Sequence, residues 1–157
     1  MQALLVAIAL AAPLPVHGTD SIGAFRIRGG TLGHARAAFG KPTSTRREQG
    51  GCAAAWPGLR IRFYTLFHAD QCRSESSSGS AEISRAWRTD HGLRQGDTVA
   101  RARSLYPKAR TVRRMFGPTA LGLAVRFSQA IGDYGLAART QNGKVTTLVL
   151  IDPQGGE

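Results

Sequence analysis

Gly58-Leu59-Arg60-Ile61-Arg62-Phe63 returns later in the chain as Gly122-Leu123-Ala124-Val125-Arg126-Phe127. Upstream of each hexamer lies a second matching pair, Gly29 to Lys41 (GGTLGHARAAFGK) and Gly96 to Lys108 (GDTVARARSLYPK). In that pair Gly29/Gly96, Thr31/Thr98, Ala35/Ala102, Arg36/Arg103 and Lys41/Lys108 are identical, while Leu32/Val99 and Phe39/Tyr106 are conservative. The order of the segments is kept, so the chain reads as an internal duplication.

The upstream segments carry helix signals. The Thr31 hydroxyl can accept a bond from a free N–H of the first turn, so a helix is expected from there to about Phe39. Leu32, Ala35 and Phe39 then share one stripe. In the copy, Asp97 or Thr98 is the cap, Val99, Ala102 and Tyr106 make the stripe, and Pro107 is the stop. Arg36 and Arg103 sit beside the stripes, where a long stem covers apolar surface.

The sequence after each helix is β-rich, and Ser21 to Arg28 before the first one reads as a short extended segment. Ala53 to Trp56, a Pro57-Gly58 turn and Leu59 to Phe67 read as strand, turn, strand. Leu59, Ile61, Phe63 and Phe67 alternate with Arg60, Arg62, Tyr64 and His68, which gives one core face and one basic, aromatic face. Residues 70–80 read as a polar Ser-rich loop and Ala81 to Arg88 as the next strand. The second unit runs from Thr111 to Phe116, turns at Gly117-Pro118, continues from Leu121 to Phe127, loops to Gly135 and resumes from Leu136 to Thr140. Asn142-Gly143 then signals a hairpin into Lys144 to Ile151. One helix on a few strands buries little alone, so pairing the units solves the burial problem. The expected fold class is α+β: two tandem helix-plus-antiparallel-meander repeats forming one sheet, with helices packed on one face.

Residues 1–18 contain no Lys, Arg, Asp or Glu and hold an apolar run from Ala3 to Leu14. The run is too short for a spanning helix of roughly 20 residues, but it fits the hydrophobic region of an export signal, although a charged start is missing. Pro13 and Pro15 end it, and a cut is expected before Thr19. The alternative is an N-terminal core strand or helix, against which the missing amphipathic periodicity counts. The expected division is an export segment at 1–18, a first unit at 19–92 and a second at 93–157. No later segment is apolar enough to cross a membrane. A secreted or periplasmic location suits the two cysteines, Cys52 and Cys72, which are expected to form a disulfide contributing about 3 kcal/mol.

Lys and Arg number 21 against 10 Asp and Glu, a formal charge of +11. Such a balance points to polyanions. Export shifts the expected partner from nucleic acid to an acidic envelope polymer, anionic lipid or an acidic protein face. The bias of eighteen Arg to three Lys is one that a GC-rich genome also produces.

A helix followed by a meander, twice, in an exported chain with a disulfide inside one unit resembles the fold of the bacterial beta-lactamase inhibitory proteins. One unit at a time, it is similar to the small lipoprotein of the outer-membrane assembly machinery. Ile27-Arg28-Gly29-Gly30-Thr31-Leu32, Leu93-Arg94-Gln95-Gly96-Asp97-Thr98 and the paired GLxxRF strands carry the resemblance, which covers nearly the whole chain after residue 18. The chain departs from both groups: it has no lipidation Cys, its second unit has no Cys, and its helical portions are short. No inhibitory residue is carried over.

Catalysis needs titratable groups that converge. The acids are scattered, and His17, His34, His68 and His91 lie in unrelated settings. Asp90-His91 could join one of many serines, as in any Ser-rich chain. No GxSxG, P-loop, GxGxxG, CxxC or HExxH is present. Catalytic residues, a metal and a cofactor are therefore not expected. Arg60, Arg62 and Tyr64, with Arg126 at the position matching Arg62, are the candidate partner-binding residues, since Arg and Tyr are enriched at interface hot spots. The competing reading is a solvated sheet face kept basic for solubility. Arg101, Arg103, Lys108, Arg110, Arg113 and Arg114 form a candidate polyanion site, or else an edge guarded by charge. The expected function is an exported, non-catalytic protein-binding module, an inhibitor or an envelope accessory. The alternatives are a basic polyanion-binding protein of the envelope and, third, an uncharacterised hydrolase.

Overall fold

The computed structural model describes residues 12–64, 72–112, 116–117, 119–129 and 132–152. In chain order they form β1 (Leu14–His17), β2 (Ser21–Ile22), β3 (Phe25–Arg26), α1 (Leu32–Phe39), β4 (Ser44–Glu48), β5 (Gly51–Trp56), β6 (Leu59–Tyr64) and β7 (Ser77–Ile83). There follow β8 (Trp87–Thr89), α2 (Val99–Leu105), β9 (Arg110–Val112), β10 (Ala120–Ser128), β11 (Gly132–Gln141) and β12 (Lys144–Ile151). The fold is α+β and mainly β. Among the described residues no helix is long and apolar enough to cross a membrane.

The helices start as their caps dictate. Thr31 Oγ1 accepts from the His34 amide at 3.2 Å and Thr98 Oγ1 from the Arg101 amide at 3.1 Å, satisfying donors that the first turn leaves free. Leu32, Ala35 and Ala102 are fully buried and Tyr106 nearly so. The Asn142-Gly143 hairpin forms between β11 and β12, both residues at positive φ (52° and 73°), as a twist-matched two-residue turn requires.

Two sheets form, not the single one expected. The large sheet has the order β4-β5-β6-β7-β12-β11-β10-β9, antiparallel throughout, so a meander of β4 to β7 meets a meander of β9 to β12 at the β7–β12 pair. The small sheet has the order β3-β2-β1-β8, with β1 parallel to β8. It separates because the β1–β3 hairpins pair with β8, not with either meander, and their apolar side chains dock on the large sheet. Val16, Ile22, Phe25 and Trp87 share one buried cluster with Ile61, Phe63, Ile83, Leu136, Leu148 and Leu150 of the large sheet and with Leu32, Ala35 and Ala102 of the helices. A large apolar side chain so buried contributes about 1.5–3 kcal/mol. Buried polar tips are met: the Trp87 indole donates to the Thr146 carbonyl and the Trp56 indole to that of Gly40.

Several boundaries differ from the sequence reading. Residues 1–11 of the expected export segment lie outside the described residues, but Leu14 to His17 form β1, with Leu14 and Val16 buried. The folded unit thus begins ahead of Thr19. The loop expected at 70–80 gives way to β7 from Ser77, because Ser78, although polar, is buried with its hydroxyl donating to the Ile27 and Gly30 carbonyls. The strand expected to Phe67 is described only to Tyr64. Phe67 and His68 lie outside the described residues, as do Arg113 and Arg114. β4 was not foreseen, since Ser44 to Arg47 are all exposed on an edge strand. Cys52 and Cys72 form the disulfide, their Cα atoms 5.4 Å apart.

Candidate functional site

β6 alternates as its sequence demands. Leu59, Ile61 and Phe63 enter the core, and Arg60, Arg62 and Tyr64 stand on the opposite, open face of the large sheet. Register places Ala53 between Arg46 and Arg62, and Ala55 between Ser44 and Arg60. Ala53 is buried even on this open face, as a small residue between long arginine stems is. Glu48 bridges the two β6 arginines: Arg60 donates to its Oε1, and Arg62 Nε lies 3.2 Å from its Oε2. The Tyr64 ring lies against Gly79, where an added Cβ would come within 1.9 Å of it.

Glu82, directly across from Arg60 on β7, receives two hydrogen bonds from Arg139 of β11. Burial pushes its carboxyl pKa up, but the Arg139 hydrogen bonds and the charges of Arg139, Arg62 and Arg60 outweigh that and hold it below the usual carboxylate range. The same face of the second meander is covered. There Val112, Phe116, Ala120, Ala137, Val149 and Ile151 form a second buried cluster, with Phe116 from the segment after β9 fully enclosed. The open face is therefore ionic over β4–β7 and apolar and capped over β9–β12.

Arg126 does not join Arg60, Arg62 and Tyr64. The matching hexamers fall on β6 and β10, the third strand of the first meander and the second strand of the second, so Arg62 and Arg126 are not on corresponding strands. A register irregularity between Gly122 and Ala124 also resets which side chains face the core. Phe63 is 1% exposed whereas Phe127, its match in sequence, is 67% exposed. Arg126 instead lines a cleft of about 580 Å³ with Arg26, Arg28 and Lys108.

The described residues of the expected polyanion cluster make separate contacts. Arg103 donates to the Ala109 carbonyl, Arg110 pairs with Asp133 at 3.0 Å, Lys108 faces the cleft, and Arg101 is exposed at the start of α2. One pair went unforeseen. His17, expected to leave with the export segment, has Nδ1 2.7 Å from Asp90 Oδ1, and the Gly18 amide donates to Asp90 Oδ2. That amide and then His17 hold the Asp90 carboxyl below its ordinary range. The side chains are 56% and 47% exposed, so the pair clasps β1 to the turn after β8 in open solvent. His34 is exposed on α1, and His91 stacks on Tyr106 with ring centroids 4.5 Å apart.

No protein-family model matches this chain, and neither the curated proteins nor the solved structures contain a match.

Proposed function

We propose that the chain is an exported, non-catalytic binding module that docks a protein partner on the open face of its first meander. The observation that carries this reading is the asymmetry of that face among the described residues: capped by Phe116 over β9–β12, and uncovered over β4–β7 at Arg46, Arg60, Arg62 and Tyr64. Arg60 and Arg62 are held by Glu48, so they lose less freedom on binding and keep further guanidinium donors for a partner. Arg46, Arg60, Arg62 and Arg139 against Glu48 and Glu82 leave the face cationic, which suits an acidic protein surface. Tyr64, half fixed on Gly79, supplies apolar area with a polar tip.

An inhibitor or envelope accessory fits this reading. We also infer that the two meanders arose by duplication, supported by the capped helix ahead of each meander and by the mirrored strand order, which makes β6 the counterpart of β11. Export is proposed with β1 kept in the mature chain, since Leu14 and Val16 are buried in the fold. Retention on isolated envelopes in roughly molar salt, where the screening length is about 3 Å, tests the reading. Binding that persists there but is lost in Arg62→Glu with Tyr64→Ala supports it. Binding that salt abolishes, with the variant unaffected at low salt, sinks it in favour of simple attraction to polyanions.

A further inference from the structure

We propose that the cleft between the small sheet and strands β10 and β11 is a binding site for a phosphate monoester with an apolar substituent. The cleft has about 580 Å³, within the range of small-molecule sites. Its cations are Arg26, Arg28, Lys108 and Arg126, and its acids are Asp20 and Asp152. Both acids are committed: Arg26 Nε lies 2.8 Å from Asp20, and Arg28 Nε lies 3.1 Å from Asp152, whose side chain is only 6% exposed. Lys108 and Arg126 have no ion pair among the described residues. Two positive charges from distant parts of the chain are thus brought to one concavity and left uncompensated there.

Exposed arginines such as Arg94 and Arg101 also have no ion pair among the described residues, but Lys108 and Arg126 share the lining of one concavity with an apolar part. At pH 7 a phosphate monoester carries a charge of roughly −1.5 to −2, which matches Lys108 and Arg126 together, and Arg can grip two of its oxygens at once. The apolar part of the lining comes from Leu123, Ala124, Val125 and Tyr134. Gly135, at φ 120°, lets β11 pass close to β10 beside that lining, because a Cβ there would come within 2.2 Å of the Ala124 carbonyl oxygen.

The test is a titration of the full chain with phenyl phosphate in about 150 mM salt, followed by calorimetry and by NMR shifts of Ala124 and Tyr134. Lys108→Gln with Arg126→Gln removes exposed side chains and leaves the fold intact by circular dichroism. The expected result is saturable binding that this double variant weakens by about tenfold or more, with weaker binding of phenyl sulfate, a monoanion. Arg94→Gln with Arg101→Gln, which removes the same charge elsewhere, leaves binding unchanged. No saturable binding at millimolar phenyl phosphate overturns the proposal, as does an equal loss in both double variants. Displacement of phenyl phosphate by phosphatidylcholine vesicles carrying phosphatidic acid assigns the phosphate to a lipid headgroup. Its persistence against them assigns it to a soluble monoester.

Discussion

Glu82 on β7 and Arg139 on β11 are 57 residues apart in sequence and joined by two hydrogen bonds of 2.9 and 3.2 Å. β12 runs between them, Val149 in register with Glu82 and Thr147 with Arg139. The pair therefore straddles the seam where the two meanders meet. Arg139 also donates from Nε to the Phe116 carbonyl at 2.9 Å, tying the apolar cap of the second half to the ionic face of the first.

Arg139→Gln should lower stability by about 1–2 kcal/mol, allowing for the solvent screening of a pair that is about one-third exposed. Urea unfolding of Glu82→Gln, Arg139→Gln and the double variant measures the coupling. A double variant less destabilised than the sum of the singles is expected; strict additivity would show that the pair does not hold the seam.

The pair also sets a pH dependence. Glu82 has a folded pKa below its ordinary 4.5, so the unfolded chain binds the proton more readily. Its stabilising effect is complete above that ordinary value and is lost as pH falls through the lower folded one. Unfolding midpoints between about pH 5 and pH 3 should fall less steeply in Glu82→Gln than in the unaltered chain. Parallel curves would contradict the assignment.

Cys52–Cys72 anchors β5 to the residues leading into β7. Its reduction, or Cys52→Ala with Cys72→Ala, should cost about 3 kcal/mol. A urea midpoint indifferent to reductant would mean that other contacts already close this loop.

The mature N-terminus is a further prediction. β1 supplies buried Val16 and pairs with both β2 and β8, so a cut before Thr19 would strip the small sheet of a central strand. Intact mass of the exported protein should place the terminus no later than Leu14. A mass starting at Thr19 would contradict the role of β1.

Local signals were legible in the sequence where local chemistry decides the outcome. Thr31 and Thr98 cap helices through bonds made within three residues, Asn142-Gly143 turns by itself, and Leu59, Ile61 and Phe63 announce a buried face by alternation. The features that the sequence hid depend on distant partners. Ser78 reads as loop until the Ile27 and Gly30 carbonyls satisfy its hydroxyl. Leu14 to His17 is too short an alternation to stand out from the apolar run before it. Arg126 matches Arg62 by letter, but β10 occupies a different place in the sheet and carries a register irregularity. Of the four candidate partner-binding residues, Arg60, Arg62 and Tyr64 share the open face. Arg126 and Lys108, taken from two separate expected sites, meet in one cleft.

The most direct test of the docking surface is site-specific photocrosslinking in the organism that encodes the chain, with a photoreactive phenylalanine analogue at Tyr64 and, separately, at His34 on the exposed side of α1. A discrete adduct from position 64, absent from position 34 and lost when Arg62→Glu is added, is the predicted result. An adduct from position 34 with none from position 64 would contradict the central claim and move the partner to the helical side.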